Sequence, residues 1–207
     1  MLALARTSAC DQLLELTSAR LRSWRFRITS PMKTLIFVTG ASGAGKTATL
    51  KALEAEHIRG VVFCYFDTIG VPSLEEMKQK YGSGEEWQKQ TTFDWVRRIR
   101  RDYLKDRVVV LDGQVRQSFI DDACQQEGVE DYRITLFHCE NSIRNERVAR
   151  QRGQPELITE QMQNWARYLR EQAIARGDAI IDTTDLAIPG AVSLMREKVQ
   201  ECLQNTE

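Results

Sequence analysis

A glycine-rich stretch between an apolar run and an amphipathic run is the strongest constraint on the fold of this chain. It reads GASGAGKT, Gly40 to Thr47, and lies between TLIFVT and KTATLKALEAEH, a plausible strand and a plausible helix. The stretch matches the spacing G-x-x-x-x-G-K-[ST] in full. Its glycines allow backbone turns that aim N–H groups inward at a helix N-terminus, so the pattern predicts a nest for phosphate.

The side chains of the same stretch suit a nucleotide that carries magnesium. Lys46 is expected to reach the β- and γ-phosphates, and the Thr47 hydroxyl is expected to ligate Mg²⁺. A structural turn that happens to carry a lysine is the alternative, and the full motif in its strand–helix context disfavours it. We therefore expect a nucleoside triphosphate to be bound by Gly40, Ala41, Ser42, Gly43, Ala44, Gly45, Lys46 and Thr47.

Five short apolar runs recur along the chain from residue 34 onward. They occupy residues 34–39, 61–66, 107–112, 134–139 and 179–183. Their near-continuous apolar character is typical of strands buried on both faces of a parallel sheet. The stretches between them are long enough for crossover helices. The pattern predicts an α/β fold, a three-layer α/β/α sandwich around a five-stranded parallel sheet.

Length and composition indicate one ordinary domain. The chain has 207 residues, 42% of them hydrophobic, and a formal net charge of zero. The lack of a basic excess argues against nucleic acid as a partner, and no apolar stretch reaches the roughly 18 residues of a membrane span. The five cysteines are scattered, without a CxxC pair. They predict reduced thiols and a cytoplasmic protein.

Residues 1–31 differ from the rest of the chain. They hold five arginines and only two acidic residues, and Met32 directly precedes the first predicted strand. A mis-called start codon, an appended helix and an Arg/Ser-rich targeting segment are three readings of such a segment. We favour a dispensable extension, followed by a nucleotide-binding domain over residues 32–207.

A protein that starts at Met32 is therefore expected to keep its fold and its activity, because the predicted domain begins there. Circular dichroism and an activity assay of this shortened protein would test the expectation, and loss of either property would contradict it.

The run RVVVLDGQVR, residues 107–116, contains a second nucleotide-binding signature. In proteins with this loop, an Asp at the end of a neighbouring apolar strand holds the metal through its water shell, a role that Asp112 fits. Hydrolytic ATPases usually place Glu directly after this Asp, whereas here Gly113 follows. The guanine-specifying N-K-x-D of GTPases is absent from the chain. The pattern therefore favours transfer of the γ-phosphoryl group to a bound acceptor.

At this point the chain resembles the P-loop small-molecule and nucleotide kinases of the adenylate-kinase-like group. The run LDGQVR is similar to their D-G-x-x-R, whose arginine contacts phosphate on the acceptor side, and this implies that role for Arg116. The usual Phe-Pro of that motif is replaced by Gln114-Val115. The run AIIDTTDL resembles their last strand, and implies that Asp182 and Thr183 lie near the adenine base.

Residues 141–157 resemble the helical lid of these kinases. Arg144, Arg147 and Arg150 recur at intervals of three and can share one side of a helix, with Arg152 just beyond. Lid arginines neutralise the charge that develops on the transferred group. The resemblance implies this role first for Arg147 and Arg150, and the alternative is a solvated helix face.

The acceptor is expected beyond the second strand. Asp67 follows that strand at the sheet edge where ligands bind in open α/β folds. In related kinases an Asp here contacts or deprotonates the attacking hydroxyl, and an Asx turn before Pro72 is the alternative. Trp165 and Tyr168 lie on adjacent helical turns, where packing beneath the lid is the simplest role.

Three functions are consistent with the sequence. The first is a kinase that uses ATP and Mg²⁺ to phosphorylate a small molecule or nucleotide. The second is a nucleotide-dependent regulator whose arginine-rich segment around residues 97–101 binds a protein or RNA. The third is a hydrolytic ATPase, which Gly113 disfavours.

Overall fold

The computed structural model describes residues 32–204. The predicted N-terminal extension, residues 1–31, lies outside the described residues, as do residues 205–207. The five strands of the described part are β1 (Leu35–Thr39), β2 (Val61–Tyr65), β3 (Val108–Asp112), β4 (Tyr132–His138) and β5 (Ala179–Asp182).

The strands form one parallel sheet in the order β2-β3-β1-β4-β5. All residues of β1 and β3 are buried, because helices cover both faces of the sheet. This burial explains why the strands read as continuous apolar runs rather than as alternating ones. The predicted five-stranded parallel sheet is confirmed.

Helices follow the strands as crossovers. Their bounds are α1 (Lys46–Glu54), α2 (Leu74–Tyr81), α3 (Gly84–Asp102), α4 (Gln117–Glu127), α5 (Asn141–Glu146), α6 (Glu160–Arg176) and α7 (Ile188–Gln204). Successive side chains of a strand point to opposite faces. In β1, Leu35 and Phe37 pack towards α3 and α4, whereas Ile36 and Val38 pack towards α1 and α7. The result is the three-layer sandwich that the sequence predicts.

The longest helix of the described residues, α3, is anchored by a regular apolar stripe. Trp87, Thr91, Trp95 and Ile99 are buried along it at four-residue intervals, which is the spacing of one helix face. The Ser83 hydroxyl caps the helix by accepting from the Glu86 N–H at 3.0 Å. The stripe is therefore part of the core.

Strand order places the functional groups at one edge of the sheet. Val38 is paired with Asp112, and Tyr65 is paired with the same residue from the other side. The carboxyl ends of β1, β2 and β3 thus finish side by side, near the point where the chain switches from one side of β1 to the other. Ligands of open α/β folds bind at such a point.

Within residues 32–204, no helix combines the length and the apolar character that crossing a bilayer requires.

Candidate active site

The loop after β1 has the backbone conformation of a phosphate nest. Gly40 has φ 147°, and a Cβ there would lie 2.3 Å from the carbonyl oxygen of Phe137 on the neighbouring strand. Gly43 has φ 86°, and a Cβ there would lie 2.7 Å from Val148 in the lid segment. Side chains would therefore collide on both sides of the loop, which is why these positions are glycines.

The loop ends at the N-terminus of α1, where the helix carries no side-chain cap and no acidic residue in its first turn. The first N–H groups of a helix lack partners within it and attract anions. Lys46, the first residue of α1, is buried and donates from Nζ to the carbonyl oxygen of Gly40 at 2.7 Å. Burial lowers the pKa of Lys46, although the nearby carboxylate of Asp112 opposes that shift. A phosphate at the loop would supply the anionic partner that this buried ammonium lacks.

Thr47 and Asp112 meet where a magnesium ion is expected. The Thr47 hydroxyl donates to Oδ2 of Asp112 at 2.5 Å. Asp112 is only 6% exposed, and its Oδ1 is buried without a hydrogen-bond partner among the described residues. Burial raises the pKa of Asp112, with partial opposition from Lys46. A buried, unpartnered carboxylate oxygen beside a hydroxyl fits Mg²⁺, which prefers hard oxygen ligands and keeps several waters.

A cavity of about 590 Å³ extends from the loop towards the start of α7. Its polar end is formed by the loop and α1, from Gly43 to Thr49, and its apolar end by Leu186, Ala187, Ile188 and Ala191. Thr183 also lines the cavity. This arrangement suits a nucleotide, with phosphates at the loop and a base at the apolar end.

The lid segment is tied to the last strand through Arg147. Its guanidinium donates to the Thr183 hydroxyl at 2.9 Å and to the Thr183 carbonyl at 2.6 Å. The Thr183 hydroxyl in turn donates to the carbonyl of Ala44 in the loop at 3.0 Å. Arg147 therefore lies beside the nucleotide cavity. Asp182, by contrast, accepts hydrogen bonds from Thr184 and does not line that cavity.

The remaining lid arginines do not share one face of a helix, although their even spacing in the sequence predicts that they do. Arg150 is solvent-exposed and pairs with Glu146 at 2.8 Å, away from the loop. Arg152 donates to the Ser42 hydroxyl of the loop at 2.6 Å, and Arg144 is buried against Gly43. The cause is a π-helical turn over Arg147–Gln151. Its i→i+5 bonding changes the helix phase, so residues three apart no longer share a face.

Asp67 joins the phosphate region from β2. It lies in a short 3-10 turn after that strand, is exposed, and faces a cavity of about 370 Å³ together with Lys46, Thr47, Asp112 and Arg152. The 3-10 turn is closed by the backbone of Asp67, whose carbonyl accepts from the Gly70 N–H at 3.1 Å. The carboxylate thus remains available to a ligand at this centre.

Gly113 has a packing reason as well as a chemical one. A Cβ at this position would lie 3.1 Å from Cβ of Phe66, so the buried Phe66 side chain would have to shift by a few tenths of an ångström to admit a larger residue. The carboxylate that hydrolytic ATPases place here is absent, and Phe66 closes the space beside it.

Arg116 lies in the wall of a third cavity, of about 810 Å³, between the start of α3 and α6. Its guanidinium lies 5.1 Å and 5.2 Å from the ring centroids of Trp165 and Tyr168 and donates to Glu85 at 3.1 Å. Gln114 lines both this cavity and the cavity of about 370 Å³ at Asp67 and Asp112, which is the central cavity of the site. The sequence indicated Arg116 and the aromatic pair. It did not indicate Glu85, whose place depends on how α3 packs.

The arginine-rich part of α3 is largely neutralised at the surface. Arg97 pairs with Asp94 and Glu127, and Arg98 and Arg101 both pair with Asp102. A solvated helix face, on which three of the four arginines have a carboxylate partner, accounts for this cluster.

The sequence model of one protein family, described as AAA domain, matches residues 36–183. The chain belongs to this AAA-domain family. The match spans well over half of the chain and includes the phosphate loop, Asp112 and the lid segment. No curated protein matches the chain in sequence.

Solved structures with the fold of this AAA-domain protein include several kinases. A thymidylate kinase from Candida albicans has a TM-score of 0.59 at 11% identity, over 85% of this chain and 94% of that one. A gluconokinase from Sinorhizobium meliloti 1021 has a TM-score of 0.56 at 18% identity, over 86% and 94%. A tunicamycin resistance protein from Deinococcus radiodurans has a TM-score of 0.58 at 18% identity, over 81% and 95%. The predicted resemblance to P-loop small-molecule and nucleotide kinases is confirmed.

Gly40→Ala is expected to disrupt the loop of this AAA-domain protein, because the added methyl group would meet the Phe137 carbonyl. We expect Mg·ADP binding to be lost and the free energy of unfolding to fall by about 1–3 kcal/mol. Calorimetric titration and urea unfolding would measure both. Gly84→Ala is a matched control, since a Cβ there only approaches the flexible Met77 side chain at 3.4 Å; equal behaviour of the two variants would contradict the prediction.

Asp112→Asn is expected to stabilise the protein in the absence of nucleotide and magnesium. Because burial raises the pKa of Asp112, the folded protein binds this proton more tightly than the unfolded chain does. Wild-type stability from this group is therefore complete below the ordinary Asp pKa and is lost as the pH rises through the raised value. The asparagine variant has no such loss.

Urea unfolding should thus give equal stabilities near about pH 4 and a more stable variant near about pH 8. The exposed Asp94→Asn change is the control, with an expected difference within about 0.5 kcal/mol. A variant that is less stable than wild type near about pH 8 would contradict a net destabilising effect of the buried Asp112 charge.

Proposed function

We propose that this protein is a kinase that transfers the γ-phosphoryl group of Mg·ATP to a hydroxyl oxygen of a small molecule. One observation carries the proposal: the cavity at the phosphate loop, of about 590 Å³, and the cavity beside Arg116, of about 810 Å³, both adjoin the central cavity. Lys46, Thr47 and Asp67 line both the nucleotide cavity and the central one, and Gln114 joins the central cavity to the third. Two ligands can therefore meet end to end at Lys46 and Asp112.

Thr47 and Asp112 are the residues that would hold magnesium, the latter through water. When bound, the ion neutralises charge on the β- and γ-phosphates. Lys46 would exchange the carbonyl of Gly40 for phosphate oxygens, which accept hydrogen bonds from an ammonium more strongly because they are charged.

In the proposed step, the acceptor oxygen bonds to the γ-phosphorus while the bond from that phosphorus to the bridging β–γ oxygen breaks. The hydroxyl proton passes to the Asp67 carboxylate, and ADP leaves with the bridging oxygen. Arg152, held beside Ser42, and Arg147, held by Thr183, supply positive charge near the transferring group. Enclosure of the centre by the lid would limit access of water.

Two competing functions have weaker support. A regulator that binds RNA through α3 would need free positive charge there, whereas three of its arginines are paired with carboxylates. A hydrolytic ATPase would need a base for water beside Asp112, where Gly113 packs against Phe66.

Incubation with Mg·ATP and pooled metabolites, read by mass spectrometry, would separate these functions. A phosphorylated product formed in equal amount to ADP supports the kinase. ADP with free phosphate alone would indicate the hydrolase, and no turnover would indicate the regulator. Lys46→Ala should abolish product formation, and an undiminished rate would refute the mechanism.

Arg152→Ala is expected to lower kcat by about 10²–10³-fold, which is the usual effect of removing one donor to a developing charge. Arg150→Ala is the matched control, because it removes the same side chain two residues away where it faces solvent. Its kcat should stay within about twofold of wild type. The reverse order of the two variants would show that Arg150, and not Arg152, serves the transferred group.

A further inference from the structure

The cavity beside Arg116 lacks the excess of positive charge that a site for a phosphorylated acceptor needs. Among the residues that line it, only Glu85 and Arg116 are charged. These two are paired, with Nη2 of Arg116 donating to Oε2 of Glu85 at 3.1 Å. The site therefore offers one guanidinium whose charge is already opposed by a carboxylate.

The rest of the cavity is suited to a ring. Trp165 and Tyr168 are stacked with their centroids 5.5 Å apart and their planes 19° apart. Leu74 and Met162 add apolar surface, and Gln88 and Asn164 add amide groups. Nε1 of Trp165 is buried without a hydrogen-bond partner among the described residues. A buried indole N–H without a partner is costly.

A phosphate dianion would be poorly held here. Strong phosphate binding uses several charged or convergent donors. A dianion bound to Arg116 would also lie close to the Glu85 carboxylate, because Oε2 of Glu85 is only 3.1 Å from Nη2 of Arg116. The two negative charges would repel each other. A site can exclude a competing ligand by placing such a repulsive group in its path.

We propose that the acceptor is a hydroxyl compound that contains a ring and no phosphate group, and that Glu85 is the residue that excludes phosphorylated acceptors. The inference rests on the proposed kinase function. Arg116 then serves the acceptor as a donor to a neutral or singly charged oxygen, with the stacked rings of Trp165 and Tyr168 as the platform beneath.

The first test compares matched acceptors with γ-labelled Mg·ATP. The panel contains nucleosides, cyclic polyols and aromatic alcohols, each beside its own monophosphate. We expect wild type to label at least one unphosphorylated compound with kcat/KM about tenfold or more above that of its monophosphate, and Glu85→Gln to reduce this ratio about tenfold. Glu86→Gln is the control, because it removes the same charge one residue away, outside the cavity lining.

Equal or better labelling of the monophosphates by wild type would overturn the inference while leaving the kinase function standing. The same holds if Glu85→Gln and Glu86→Gln have equal ratios. No labelling of either class would overturn the proposed function, and this inference with it.

The second test measures binding without catalysis. Phenyl phosphate, a ring dianion without a transferable hydroxyl, is titrated against the protein with Mg·ADP present, and tryptophan fluorescence is read with Trp165→Phe as the blank. We expect Glu85→Gln to tighten binding about tenfold relative to Glu86→Gln. Equal dissociation constants for the two variants would overturn the role of Glu85 even if kinase activity is found.

Discussion

The parallel register of β1, β2 and β3 is the constraint on which the rest of the site depends. It brings the end of β3 beside the end of β1, so that Asp112 meets Thr47 at the start of α1. These residues are 65 positions apart in the chain, and only the sheet brings them together. The same register carries Asp67 to the centre from β2. Burial then removes water from Asp112 and Lys46. The charged forms of both side chains are therefore unfavourable until charged ligands are bound.

The phosphate loop is held from behind by the lid segment. Gly43 lies against Arg144 and Val148, and Ala44 accepts a hydrogen bond from Thr183, which also holds Arg147. These contacts hold the loop in place, and Arg147 and Arg152 of the same segment line the cavity into which the loop faces. The π-helical turn sets which arginine reaches Ser42. A local change of helix geometry thus decides the charge around the transferring group.

The Thr39 hydroxyl helps to couple the acceptor side to the loop. Thr39, the last residue of β1, donates to the carbonyl of Val115 at 2.7 Å and accepts from its N–H at 3.3 Å. The segment from Asp112 to Arg116 is thereby fixed against the strand that carries the phosphate loop. Gly113 lets that segment pass Phe66. A side chain at this position would meet atoms of Phe66 at 3.1–3.3 Å, so Gly113 has a steric role in addition to lacking a carboxylate.

Much of the architecture could be predicted from the sequence alone, because its signals are local. The apolar runs mark the strands, the glycine spacing marks the loop, and the run that ends in Asp112 marks the carboxyl end of β3. These features depend on backbone sterics and on burial, which neighbouring residues determine. The lid segment and the role of Arg116 rest instead on the resemblance to kinase motifs, and they stay predictions.

Other features were decided only by the tertiary structure. The even spacing of the lid arginines favours Arg150, yet the π-helical turn points that residue to solvent and brings Arg152 to the loop. Glu85 looks like an ordinary surface residue of a helix start, and only the packing of α3 and α6 brings it to Arg116. Helix phase and long-range packing arise from the competition of many contacts across the fold. No short stretch of sequence determines them, whereas strand burial and loop conformation depend mainly on adjacent residues.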